Sequence, residues 1–167
     1  SIKIKIMKNS FNNYVKLLRI MSFVVIFLLF APNSYSAESN LKINILNLDR
    51  SGVLYISICK DEIGFKKTVE NESEEESCIN YAREIDFQND EINSILPHGE
   101  YAISLFVDSN RNRKIDKNLF GVPKEQYGFS NNAMGRMSAP TYDQAKFIVT
   151  GPSTQDIKLR IGIPKKQ

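Results

Sequence analysis

From residue 41 onward apolar and polar residues alternate with a period of two, and this alternation limits the possible folds more than any other feature of the chain. Leu41, Ile43 and Ile45 are interleaved with Lys42 and Asn44, and Leu54, Ile56 and Ile58 with Tyr55, Ser57 and Cys59. Tyr81, Ile85 and Phe87 share one parity, with Glu84 and Asp86 on the other. Tyr101, Ile103, Leu105 and Val107 follow Gly99; Phe147 and Val149 repeat the pattern, and Ile157, Leu159 and Ile161 end it. Successive side chains of a strand point to opposite faces, so each run buries one face and wets the other. Runs of this kind, separated by turn-rich segments, predict an all-β chain: an antiparallel β-sandwich of about seven strands, immunoglobulin-like or prealbumin-like. After the first 36 residues the one helical candidate is a short stretch around Asp61–Val69, followed by the solvated acidic loop Glu70–Ser77.

The N-terminal segment follows a different rule. Residues 20–30, IMSFVVIFLLF, form an apolar run of 11 behind Lys16 and Arg19. A transmembrane helix takes about 20 residues, so this run is short for one. Pro32 and the small residues Ser34, Ser36 and Ala37 come next. A basic start, a short apolar stretch and a small-x-small site read as a secretory signal, with Met7 as the expected initiator. The expected organisation is a signal peptide over 1–36 and one β-sandwich domain over 37–167, exported to the periplasm or beyond, with no stable membrane span in the mature chain. The charge balance agrees. All 22 basic residues against 19 acidic ones give +3, but residues 1–36 hold five of the bases and no acid, so the remainder carries −2. A nucleic-acid-binding domain keeps its basic excess in the folded part, and this one does not.

Export changes the reading of Cys59 and Cys78, the only two cysteines. Oxidising compartments favour pairing, so a disulfide is expected, pinning both ends of the excursion between them. Two Cys without partnering Cys or His fall short of the roughly four ligands of a structural zinc site.

Asp108-Ser109-Asn110-Arg111-Asn112-Arg113-Lys114-Ile115-Asp116 is the one stretch with a chemical pattern. Oxygen-bearing side chains fall at Asp108, Asn110, Asn112 and Asp116, and the carbonyl of Lys114 occupies the place where an EF-hand loop uses its main chain. This is a candidate Ca²⁺ ligand set. Arg113 stands where a tight turn favours Gly, Leu119 where a bidentate Glu would close the site, and Arg111, Arg113, Lys114 and Lys117 surround two carboxylates. The alternative is an Asx-rich turn that satisfies its own backbone. A second candidate lies at Tyr127, Ser130, Asn131 and Asn132, either a structured loop or the lining of a small-ligand site, with Tyr127, Phe129 and Tyr142 as an aromatic platform.

Gly99–Ala102, the Asp108–Asp116 loop, Gly121–Glu125 (GVPKE) and Tyr127–Ala133 (YGFSNNA) together resemble an uncharacterised group of exported bacterial proteins, domain of unknown function 2141. The resemblance is dense from Pro97 to Ala133 and extends to Pro140–Phe147. Relatives commonly carry Gly near where Arg111 and Arg113 stand. The resemblance implies a secreted β-sandwich and lends no activity.

Catalysis finds little support. The single His, His98, sits in a turn, no Ser or Cys is placed beside a base, and Asp108 and Asp116 as an acid–base pair would be held ionised by their cations. No phosphate-binding Gly-rich loop, zinc signature or haem motif is present. The expectation is a non-catalytic binding or accessory module of the cell envelope, taking a small ligand or an envelope protein as partner. The alternative is a structural or adhesion-type domain that engages protein through a sheet edge.

Overall fold

The period-two pattern is clearest in the first two strands of the sandwich, and it fails most where the second face of a sheet is also covered. The structure is a computed structural model and describes residues 15–19, 36–70, 76–136 and 138–163. The chain divides into two units, Ser1–Tyr35 and Ser36–Gln167. In the first, residues 15–19 are helical. The apolar run 20–30 and the rest of the expected signal segment up to residue 35 lie outside the described residues, as do residues 71–75 of the acidic loop. Among the described residues no helix is long and apolar enough to cross a membrane.

Among the described residues the second unit has eight strands: β1 Glu38–Leu46, β2 Gly52–Cys59, β3 Cys78–Ile85, β4 Asp90–Pro97, β5 Gly99–Asp108, β6 Gln126–Phe129, β7 Phe147–Val149 and β8 Ser153–Lys158. Two short helices, α1 Glu62–Val69 and α2 Tyr142–Ala145, and a 3-10 turn at Ser130–Asn132 complete it. One sheet runs β4-β1-β8; the other runs β3-β2-β5-β6, with β7 paired to the opposite end of β5. The architecture is the expected sandwich. All pairings are antiparallel except β1 with β8, which run parallel with Leu41 opposite Ser153 and Leu46 opposite Lys158.

Leu41, Ile43, Ile45 and Ile157 from the small sheet pack against Leu54, Ile56, Ile58, Ile103, Leu105 and Val107 from the large one, forming the main core. Fully burying one such side chain contributes about 1.5–3 kcal/mol. β4 escapes the sequence pattern because its inward parity is Ile92, Ser94, Leu96 while Ile95 faces out, 64% exposed. Ser94 is tolerated inside because its hydroxyl meets Tyr81 Oη at 2.8 Å. β6 is short, and Gly128 lets it approach β8: a Cβ there would lie 2.6 Å from Ile157 Cγ2.

The large sheet is covered on its outer face too. Cys59, Phe65, Ala102, Phe129, Ala133, Tyr142 and Ala145 form a second core beneath α1 and α2. This explains β5, in which Tyr101–Leu105 are all buried whatever their parity. Cys59 and Cys78 face each other across the β2–β3 ladder and are joined by a disulfide with Cα atoms 4.1 Å apart. Helix α1 starts at Asp61, whose carboxylate accepts the Gly64 N–H at 2.8 Å. It lies directly on the disulfide, because a Cβ on Gly64 would collide with Ser77 Oγ and sit 2.8 Å from Cys78 Sγ.

Candidate binding cleft and polar loop

Beyond the second core the outer face of the large sheet is left partly open, as a cleft of about 560 Å³. Its floor is aromatic: Phe106 from β5 and Tyr127 and Phe129 from β6. Phe65, Thr68 and Val69 of α1 make one wall; Ile115, Phe120, Val122 and Pro123 make the facing one; Met134, Pro140 and Tyr142 close the end. The rings support one another. Phe65 meets Phe129 and Tyr142 edge-on at 6.0 and 6.1 Å, and Tyr127 meets Phe129 at 5.8 Å, spacings at which ring quadrupoles attract. Thr68 Oγ1 and Ser104 Oγ, both lining the cleft, are hydrogen-bonded at 2.8 Å. The size and the mostly apolar lining are those of a small-molecule site.

Tyr127 is fixed from behind. Its hydroxyl donates to Gly162 O at 2.7 Å, and its backbone pairs with Arg160. Burial pushes its pKa up, with the nearby Arg160 partly offsetting that, while burial pushes Arg160 down. Burial likewise raises Tyr142, with the charge of Glu100 adding to it. The structure therefore gathers Tyr127, Phe129 and Tyr142 around one space.

Ser130, Asn131 and Asn132 have their polar atoms engaged by backbone. Ser130 Oγ, fully buried, accepts from Ile103 N at 2.8 Å and donates to Ala145 O at 2.6 Å. Asn131 Nδ2 donates to the carbonyls of Ala145 and Lys146 at 3.1 and 2.8 Å. Asn132 behaves as a strand edge toward β8, with Oδ1 accepting from Lys158 N and Nδ2 donating to Asp156 O, both at 2.8 Å. Left-handed backbone at both Asn residues, φ 57° and 50°, makes this reach possible.

The polar loop adjoins the cleft through Ile115. Asp108 is fully buried; its two oxygens accept from Asn112 N at 3.2 Å and Arg113 N at 2.6 Å. Asn110 and Asn112 each turn their Nδ2 to a different oxygen of Asp116, at 2.6 and 3.0 Å, and Asn112 Oδ1 accepts from Lys114 N at 2.9 Å. Glu125, buried beneath, accepts from Ser109 N and Asp116 N at 2.9 and 3.0 Å. The neighbouring Gln126 ties the β1–β2 connection to the same place, through Asn47 O at 2.7 Å and Asp49 N at 3.1 Å. Arg111 leaves the loop for a bidentate pair with Glu84 at 2.7 and 3.0 Å.

Arg111 and Arg113 both have φ 64°, the left-handed region that costs an L-residue about 1–2 kcal/mol. The candidate Ca²⁺ donors Asp108, Asn110, Asn112, Asp116 and the Lys114 carbonyl thus belong to one closed turn that is satisfied by its own amides. A cation would have to displace the Asn110 and Asn112 amide groups from Asp116 and turn their oxygens inward. Among the described residues no group of three or more His, Cys, Asp or Glu side chains is arranged to hold a metal ion. His98 is set apart, on Ser39 Oγ at 2.8 Å.

Phe65, Thr68, Ser104 and Phe106, which build the cleft, and Glu125, which holds the loop, escape a reading from sequence. Glu125 had a signal in its motif GVPKE; Ser104 and Ala102 did not, since small residues on an outward parity look solvated.

Fold and site define a class: a disulfide-bridged β-sandwich whose larger sheet carries an aromatic-floored cleft beside a self-tied Asx loop. Residues 43–158 match the family described as "Uncharacterized protein conserved in bacteria (DUF2141)", and the chain belongs to that family. No curated protein and no solved structure matches the chain.

Proposed function

We propose that this is an exported, non-catalytic binding module whose seat is the cleft on the outer face of the large sheet, taking a small, flat, apolar ligand. The observation that carries the reading is the aromatic floor of half-buried Phe106 and Tyr127, backed by the buried Phe129, lining a space of about 560 Å³. A flat ring lying on that floor exchanges water for aromatic contact, and the Thr68–Ser104 hydroxyl pair offers a polar group one anchoring point. The disulfide suits an oxidising compartment.

The probe is anilinonaphthalene sulfonate, a flat apolar fluorophore. The folded protein should bind it at one saturable site and melt higher in its presence. Ser104→Phe, which fills the floor, should weaken binding at least about tenfold and lower stability by about 1–3 kcal/mol through overpacking, so binding is compared at a temperature where circular dichroism shows both proteins folded. Unsaturable binding, or equal binding by Ser104→Phe, removes the cleft as the seat and favours a structural or adhesion-type domain that binds protein.

A second reading, that the Asp108–Asp116 loop takes Ca²⁺, is favoured by one observation: left-handed backbone at both Arg111 and Arg113, the conformation a cation loop adopts at its Gly positions. Arg113→Gly should then stabilise the protein by about 1 kcal/mol without metal and give a further rise in melting temperature in calcium over chelator. A rise in neither wild type nor this variant dismisses the metal.

A further inference from the structure

The segment between the polar loop and β6 forms a tight hairpin with an unusual tip. Lys117 pairs with Pro123 across it, Lys124 N donates to Asp116 O at 2.8 Å, and Asn118 N donates to Val122 O at 2.9 Å. Gly121 N closes the turn on Asn118 O at 2.9 Å, with Gly121 in the left-handed region at φ 75°, as a type I turn followed by a bulge requires. Asn118 Oδ1 also accepts from Phe120 N at 2.9 Å and Val122 N at 3.0 Å. The backbone of the tip is therefore held on every side, in a turn that accepts nearly any residue at its two central places. Those places hold Leu119 and Phe120, at 101% and 89% exposure. Among the described residues neither side chain is buried as core, although Phe120 borders the cleft, and the turn chemistry does not ask for them.

Charge surrounds this tip. Residues 111–124 contain Arg111, Arg113, Lys114, Lys117 and Lys124 against the single acid Asp116. Arg111 is committed to Glu84 and Asp116 to Asn110 and Asn112, while Arg113, Lys114, Lys117 and Lys124 are exposed. A bulky apolar pair projecting from a cationic collar is complementary to an anionic interface with an apolar interior. Phosphate headgroups attract the collar, and the acyl boundary receives Leu and Phe. A protein partner would have to offer both an apolar socket and an acidic rim; a bilayer with anionic lipid has both by construction.

We infer that the Leu119–Phe120 hairpin is a membrane-docking finger that seats the molecule on the surface of an anionic lipid bilayer. The docking is peripheral: a two-residue tip reaches the headgroup–acyl boundary and no further. It goes beyond the cleft: Phe120 also borders that space, but the docking is read at the lipid, whether or not the cleft is filled.

The chain contains no Trp, so Phe120→Trp in the full chain is a single reporter at the tip. In vesicles of phosphatidylglycerol and phosphatidylcholine, brominated acyl chains should quench its emission at least about twofold, and pure phosphatidylcholine vesicles should produce little quenching. Adding Lys117→Glu and Lys124→Glu should lower partitioning into the anionic vesicles at least about tenfold. Ile95→Trp, with the reporter on exposed β4, reads contact of that face of the small sheet with the bilayer and should stay unquenched. Absence of quenching at the tip in anionic vesicles overturns the inference and leaves the finger to a protein partner. Equal quenching at position 95, or insensitivity to the charge reversals, overturns it as well.

Discussion

Ser130 does with one hydroxyl what a longer β6 would have done with its backbone. The β5–β6 ladder ends at Ser104 opposite Phe129, and the next amide along β5, Ile103 N, is buried. Ser130 Oγ accepts from that amide and donates its hydroxyl hydrogen bond to Ala145 O, joining β5 to the end of α2. Ser130→Ala should cost about 1–3 kcal/mol, the desolvation of a buried group left unpaired, read as a lower denaturant midpoint with an unchanged slope. A loss well under that range would mean the position admits water. Gly128, two residues earlier, is constrained by space, and Gly128→Ala should destabilise by about 1–3 kcal/mol because its methyl meets Ile157 in the packed core.

At the scale of elements, the disulfide and α1 form one unit: the helix lies on the bridge, and Gly64 permits the approach. Opening a bridge whose cysteines are 19 residues apart should cost about 3 kcal/mol in the chain-entropy picture. Cys59→Ala with Cys78→Ala should show that loss in equilibrium unfolding, and amide exchange should be fastest over Glu62–Val69, because the helix loses its support. Uniform loosening of the whole domain would contradict this coupling. The elements that were legible in the sequence share this dependence on a single covered face. β1 and β2 announce themselves because Leu41–Ile45 and Leu54–Ile58 alternate, β5 through the one parity of Tyr101, Ile103, Leu105 and Val107 although its other face is covered too, and α1 because Asp61 caps it. β4 hides because Ser94 sits inward and Ile95 outward, and β6 because four residues with a glycine carry too little pattern. The cleft was half legible: Tyr127, Phe129 and Tyr142 are aromatic and close in sequence, whereas Phe65 and Phe106 arrive from distant elements and only the tertiary fold brings them there. The polar loop was legible as a set of oxygens, but the donors each of them would meet were not, since Glu125 reaches it from nine residues beyond Asp116.

Over the whole molecule, Tyr101, Tyr127 and Tyr142 have pKa values raised by burial. A tyrosine unfolds to a pKa of about 10. Because the folded values lie higher, the native state holds these protons more tightly. Their contribution to stability is complete below about pH 10 and drains away as the pH rises through the folded values. Melting temperature should accordingly be insensitive to these groups near neutrality and fall steeply above pH 10, with part of the phenolate absorbance appearing only as the protein unfolds. Phenolate formation complete before any loss of structure would contradict that. The parallel pairing of β1 with β8, Leu41 against Ser153, has a consequence in time. β1 is the central strand of the small sheet, and its second partner, β8, is the last of the described strands. A domain made from its amino end must therefore keep β1 half-matched until β8, more than a hundred residues later, is available. Completion of the small sheet is thereby deferred until the far end of the domain is available, which makes it a late, non-local step of folding.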